Sequence, residues 1–110
     1  MSYRFMRIMV FFDLPTLTVK DGQDYRRFHK FLVKNGFIIT QYSVYSKLVL
    51  NASAAESVRQ LLSKNVPAKG LVQVLQITEK QFASIEYLVG KGQTKIIDSD
   101  ARWVQIGEEN

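Results

Sequence analysis

Residues 4–15 read RFMRIMVFFDLP, and this stretch decides the fold. Ile8 to Phe12 are five consecutive apolar residues, rich in β-branched and aromatic types. A run of that kind reads as a strand covered on both faces, and it is too short for a core helix. Asp13, Leu14 and Pro15 follow. Proline cannot continue a central strand and pushes its predecessor towards extended or turn geometry, so the strand is expected to stop near Asp13. Side chains alternate along a strand, which puts Met9, Phe11 and Asp13 on one face and Ile8, Val10 and Phe12 on the other. A carboxylate thus stands at the exit of the most apolar strand. An Asp there is commonly a turn former or helix cap. Thr16, Thr18 and Asp21 are better placed to cap the next helix, and strand-end loops often carry chemistry.

Residues 21–35 (DGQDYRRFHKFLVKN) have a helical period, with Tyr25, Phe28, Phe31 and Leu32 on one stripe and Gly36 as a left-handed stop. Arg26, Lys30 and Lys34 lie four apart on a second face, with Arg27 beside them. Like charges at that spacing repel, so the local helix gains nothing from them. The stripe is the candidate phosphate-binding surface. Residues 37–50 (FIITQYSVYSKLVL) read as two short strands broken or bulged near 41–43. Ser53 and Glu56 have capping-box spacing before a helix burying Ala55, Val58, Leu61 and Leu62. Residues 71–78 (LVQVLQIT) form another strand, and Thr78 with Gln81 repeats the capping pattern ahead of Phe82 and Ile85. Beyond this, residues 87–89 read as extended, and 102–106 (RWVQI) as a short strand.

The order β-α-β-β-α-β with right-handed crossovers predicts an α+β, ferredoxin-like fold: an antiparallel sheet with two helices on one face. One domain is expected over 1–110, with a core of about 1–85 and a C-terminal extension of about 86–110. The uncovered sheet face is apolar at Met9 and Phe11, so a second copy of the chain is the expected cover.

The net charge is +5, and the excess is concentrated. Residues 1–50 hold eight Lys/Arg against three Asp/Glu, whereas residues 51–110 hold seven of each. That bias points to a polyanionic partner for the first half. The absence of cysteine excludes disulfides and thiolate metal sites and is compatible with a reducing cytoplasm. One histidine, His29, leaves no His-rich zinc site and disfavours a His-based triad; it reads as a surface helix residue. No apolar run approaches the length of a membrane span, so no membrane partner is expected.

Four segments together carry a resemblance. Phe12-Asp13 at the strand exit, Lys34-Asn35-Gly36, Gln41-Tyr42-Ser43-Val44-Tyr45 and Ile77-Thr78-Glu79-Lys80-Gln81-Phe82 resemble the CRISPR-associated Cas-two family in register over nearly the whole chain. The Gln-x-Ser-Val-Tyr element is the most specific of them. The Phe12-Asp13-Leu14-Pro15 form and the long tail resemble the version from systems with a single RNA-guided effector nuclease (type II). The resemblance implies a cytoplasmic, prokaryotic ferredoxin-like homodimer with its first-strand aspartates near the shared axis. The dimer would bridge two integrase dimers in a heterohexamer that inserts new spacers, holding prespacer duplex DNA. Some members are described as Mg²⁺-dependent endonucleases on RNA or DNA. Carried over by position, Asp13 is the catalytic, metal-binding acid, Arg27 matches a first-helix arginine, and Ser43 and Tyr45 match residues near the site. Tyr25 stands where some relatives carry a second arginine.

Metal-assisted phosphodiester cleavage usually wants several oxygen ligands and often two ions about 4 Å apart. One carboxylate per chain is a thin inventory, so the adaptor role is favoured over the nuclease role. A third reading, a sheet-surface RNA binder stacking bases on Phe11, Tyr42 and Tyr45, ranks last because the basic-aromatic RNP1 signature is missing.

Overall fold

A computed structural model describes residues 5–90. Its elements run β1 (Met6–Asp13), α1 (Val19–Lys34), β2 (Ile38–Gln41), β3 (Val44–Val49), α2 (Ala52–Ser63), β4 (Leu71–Thr78) and α3 (Glu79–Ala83). The expected order is therefore present, with a short third helix after the fourth strand.

The apolar run becomes an inner strand of the sheet, whose order is β2-β3-β1-β4. β1 pairs antiparallel with β3 on one side and with β4 on the other. Partners in an antiparallel pair share a face, so Val10 lies with Tyr45 and Val74 on one side. Met9 lies with Ser46 and Leu75 on the other side. The first set faces the helices. Ile8, Val10 and Phe12 join Phe28 and Leu32 of α1, Tyr45 of β3 and Leu62 of α2 in one buried cluster. Phe12 is its hub, packing edge-on against Phe28 at 5.2 Å and stacking on Tyr45 at 5.6 Å. Such aromatic pairs contribute about 0.5–1.5 kcal/mol each beyond their buried area.

Local chemistry fixes the ends. Thr18 and Asp21 form a capping box at the start of α1: the Asp21 amide donates to the Thr18 hydroxyl, and the Thr18 amide donates to the Asp21 carboxylate. The helix ends in a Schellman arrangement, where the Gly36 amide donates to Val33 and the Phe37 amide to Leu32. Gly36 takes φ 87°, the left-handed conformation that the arrangement requires. Lys47 reaches across from β3 to donate to the Asn35 carbonyl at 2.8 Å, placing a cation at the negative helix end.

Three expectations need correction. Helix α2 is capped by Asn51, not Ser53: the Asn51 side chain accepts from the Ala54 amide at 2.8 Å, so the helix starts at Ala52. An extended Asn caps as well as Ser, and Glu56 is then free to bond Arg59 and Gln60. Leu61 is 41% exposed, because the buried stripe of α2 runs through Ala55 and Leu62. Residues 87–89 form no strand; the chain bends there. The strand expected at 102–106 lies outside the described residues.

Candidate functional site

Asp13 ends β1 with its side chain exposed, on the face of Met9 and Phe11 rather than the helix face. Its backbone is held from two sides. It pairs with Leu71 of β4, and its carbonyl oxygen lies against Gly70. A Cβ on Gly70 would stand 2.8 Å from that oxygen and 2.8 Å from a Leu14 methyl, and Gly70 has φ 94°. Only glycine lets the loop before β4 pass this close to the strand exit.

The four basic residues singled out on α1 are exposed along its outer side. They are not equivalent. Arg27 pairs with Asp24 at 3.4 Å, and Asp24 also holds Lys20 at 2.7 Å. Arg26, Lys30 and Lys34 have no ion pair among the described residues. Three cations on successive turns of one helix are thus available to phosphates.

Arg26 also borders a cavity of ≈ 250 Å³ between α1 and the turn joining β2 to β3. Tyr25 and His29 flank it from the helix, and Tyr42, Ser43 and Tyr45 from the hairpin. The register of β2 on β3 shifts between Ile39 and Gln41, the bulge that the polar break implies. Ser43 then takes φ 63°, the one positive φ at a non-glycine among the described residues. Its carbonyl accepts from the Phe12 amide at 3.1 Å, which ties the hairpin tip to the exit of β1. Tyr45 is 3% exposed, and its hydroxyl lies 2.5 Å from Nδ1 of His29. Burial, with Tyr42 nearby, pushes the Tyr45 hydroxyl above the usual tyrosine range. Burial and the neighbouring Tyr42 hydroxyl do the same to Tyr25, with Ser43 opposing.

Of the expected site residues, the fold therefore gathers Arg26, Ser43 and Tyr45 into one cavity. Asp13 is next in sequence to Phe12 but projects from the opposite face. The three aromatics of the RNA-binding reading do not form one platform: Phe11 faces away from the helices, Tyr45 is buried beneath them, and Tyr42 sits on the turn.

The face away from α1 and α2 is apolar as expected, but its cover is not wholly missing. Met9 is 5% exposed within the single chain. A groove of ≈ 310 Å³ lies there, bounded by Met9, Phe11, Val44, Leu75 and Ile77 together with Ile85 and Tyr87 from beyond α3. The chain after β4 thus returns over the open face. Arg7 fastens that return: its guanidinium meets Glu79 at 2.9 and 2.6 Å and lies 4.2 Å from the centroid of Phe82.

Residues 6–85 match the family described as CRISPR associated protein Cas2. The chain belongs to that family. It is 48% identical over 101 residues to a protein of Treponema denticola named CRISPR-associated endoribonuclease Cas2, covering 92% of this chain and all of the relative. A Streptococcus mutans protein of the same name is 48% identical over 103 residues, covering 94% of each. A solved Cas2 crystal structure superposes with a TM-score of 0.55 at 20% identity, covering 81% of this chain and 91% of that one, which agrees in fold.

The Cas2 fold brings with it the expectation of a divalent cation at Asp13. Among the described residues no three His, Cys, Asp or Glu side chains cluster as a metal site. One chain offers a Mg²⁺ ion the single Asp13 carboxylate, the fewest protein ligands with which such an ion is held, the rest of its near-octahedral shell being water or substrate phosphate. Among the described residues no helix is long and apolar enough to cross a membrane.

Two contacts that shape these surfaces escape the sequence. His29 is bonded to Tyr45 rather than idle beside the basic stripe; its four-residue spacing from Tyr25 is the available signal. The Arg7–Glu79 pair joins residues 72 apart in sequence, and no local pattern announces it.

Proposed function

We propose that this Cas2-family chain acts in CRISPR adaptation as a homodimer that bridges integrase dimers and holds prespacer duplex DNA by its phosphates. The observation that carries this reading is the helix face of Arg26, Lys30 and Lys34, three exposed cations with no ion pair among the described residues. Lys and Arg spaced along one face suit a phosphate backbone and carry no base information. The groove of Met9, Phe11, Val44 and Leu75 supports a second copy seated on the sheet, since an apolar face of that kind is commonly an interface.

A second reading is a Mg²⁺-dependent endonuclease cleaving RNA or DNA at a pair of Asp13 carboxylates. The endoribonuclease names of the relatives favour it. The lone carboxylate of each chain makes such activity slow and secondary, because both the second acid and its spacing would have to come from the partner copy.

One experiment separates the two. Asp13→Ala is compared with the parent chain in spacer integration with the integrase and in cleavage of RNA and DNA in Mg²⁺. The adaptor reading expects integration to stay near the parent level while any cleavage disappears. Integration that collapses with the dimer and the integrase complex intact would refute it.

A further inference from the structure

We propose that the cavity between α1 and the β2–β3 turn binds one unpaired nucleotide of a nucleic-acid strand, its base against Tyr42 and its phosphate at Arg26. This goes beyond the adaptor reading, which needs only paired DNA on the outer helix face.

The shape of the site comes first. A cavity of ≈ 250 Å³ falls just short of the roughly 300–1,000 Å³ that takes drug-sized ligands, and suits a single planar ring. Its lower wall is rigid. Tyr45 is clamped between Phe12, stacked at 5.6 Å, and His29, edge-on at 5.7 Å. Tyr45 can therefore support a ligand but cannot open to stack on one. Tyr42 is the opposite: at 79% exposure its ring is offered to solvent.

The conformation that presents Tyr42 is a costly one. Ser43 sits in the left-handed region, where glycine or asparagine would be less strained. Serine keeps a hydroxyl at this position, and Ser43 lines the cavity. Strain retained beside an exposed aromatic ring is what a binding turn looks like. Every base has a π-face, so an exposed tyrosine accepts any of the four.

The polar groups match a nucleotide rather than a plain aromatic ligand. Arg26 supplies an exposed cation at the rim. His29 supplies a positioned ring: its Nδ1 is engaged with the Tyr45 hydroxyl at 2.5 Å, which leaves Nε2 as the ring nitrogen not taken up by Tyr45. Tyr25 and Ser43 add two hydroxyl-bearing side chains to the lining. Lys30 lies one helical turn from Arg26, placed for the next phosphate, which favours a strand over a free mononucleotide.

The test uses the full chain and three labelled duplexes of equal paired length: blunt, with short single-stranded tails, and with tails of abasic sugar-phosphate. Fluorescence anisotropy reads each affinity, for the parent chain and for Tyr42→Ala. One stacked base is worth about tenfold, so the base-bearing tails should bind about tenfold tighter than blunt ends. The abasic tails should bind like blunt ends. Tyr42→Ala should abolish the preference, read as the ratio of tailed to blunt affinity within that variant. Equal binding of base-bearing and abasic tails would overturn the proposal, as would a preference that survives Tyr42→Ala. Displacement of the tailed duplex by adenosine monophosphate at the concentration of the duplex itself would assign the cavity to a free nucleotide and overturn the strand. A failure of duplex binding altogether appears in the blunt arm, and so is distinguished from a failure of the cavity.

Discussion

Replacing Glu79 by alanine is expected to cost more stability than replacing both Glu79 and its partner. Arg7 stands on β1 with its side chain only 11% exposed, and Glu79 is 31% exposed. Two donors of the guanidinium meet two carboxylate oxygens, at 2.9 and 2.6 Å. Removing one member of a buried pair costs about 3–5 kcal/mol, and a surface pair is worth about 0–1 kcal/mol. With one partner nearly buried and the other a third exposed, Glu79→Ala should fall between these, at about 1–3 kcal/mol. Most of that cost is the Arg7 charge left without a counterion. In Arg7→Met/Glu79→Ala the charge is gone, and the methionine still packs beside Phe82, where the guanidinium lay 4.2 Å from the ring. The double variant should recover at least half of the loss. Urea unfolding followed by circular dichroism at one fixed protein concentration reads the difference, since a chain that dimerises has a concentration-dependent midpoint. Equal midpoints for the single and double variants would show that water solvates Arg7 in the absence of Glu79, and the reasoning from burial would fail.

Other outcomes follow from single residues. Gly70→Ala should destabilise by about 2–4 kcal/mol, combining a left-handed φ with a 2.8 Å approach to the Asp13 carbonyl, and thermal unfolding reads it. Lys30→Glu with Lys34→Glu should weaken binding to all duplex sequences alike. It should also reduce the slope of log affinity against log salt by about 0.9 for each phosphate that the helix no longer neutralises, as measured by titration across salt concentrations. Asp21 makes stability depend on acid. Burial opposes its ionisation, yet the Thr18 amide, Lys69 and the Leu17 amide outweigh burial and hold its carboxyl below the ordinary aspartate value of 3.8. A lowered native pKa gives stability that is present above 3.8 and is lost as pH falls through the native value. Asp21→Asn should therefore flatten the acid limb of a stability–pH curve measured by urea unfolding.

The fold is legible where one residue's chemistry settles a local question. Five apolar residues ahead of Asp13 and Pro15 suit a strand covered on both sides, and β1 is that strand. Thr78 with Gln81 marks one helix start, because a capping box is a local contact, whereas at α1 the sequence offers Thr16, Thr18 and Asp21 as caps and folding selects Thr18 with Asp21. Asn51 escapes notice because a residue that caps equally well stands two positions later. The site is less legible, since its parts meet only after folding. Arg26, Ser43 and Tyr45 come from separate elements, and the charge pattern that singles out Arg26 and Arg27 does not show that Asp24 claims one of them. Met9 looks like bare surface in the sequence because period-two alternation describes only a strand and its two faces. It does not show that the same chain returns past α3 to cover one of them.

The sheet order also sets a timetable for synthesis. Ile8 to Phe12 leave the ribosome early, but one of their two neighbours, β4, begins only at Leu71. At about 5–20 residues per second, the most apolar strand waits on the order of 3–12 s with one edge unpaired. Helix α1 and β3 become available in that interval to cover one face and the other edge, which leaves the β4 edge of the apolar strand open. Ribosome-bound chains stopped where β3 has emerged from the ribosome and β4 has not should therefore be the species that a chaperone holds most firmly.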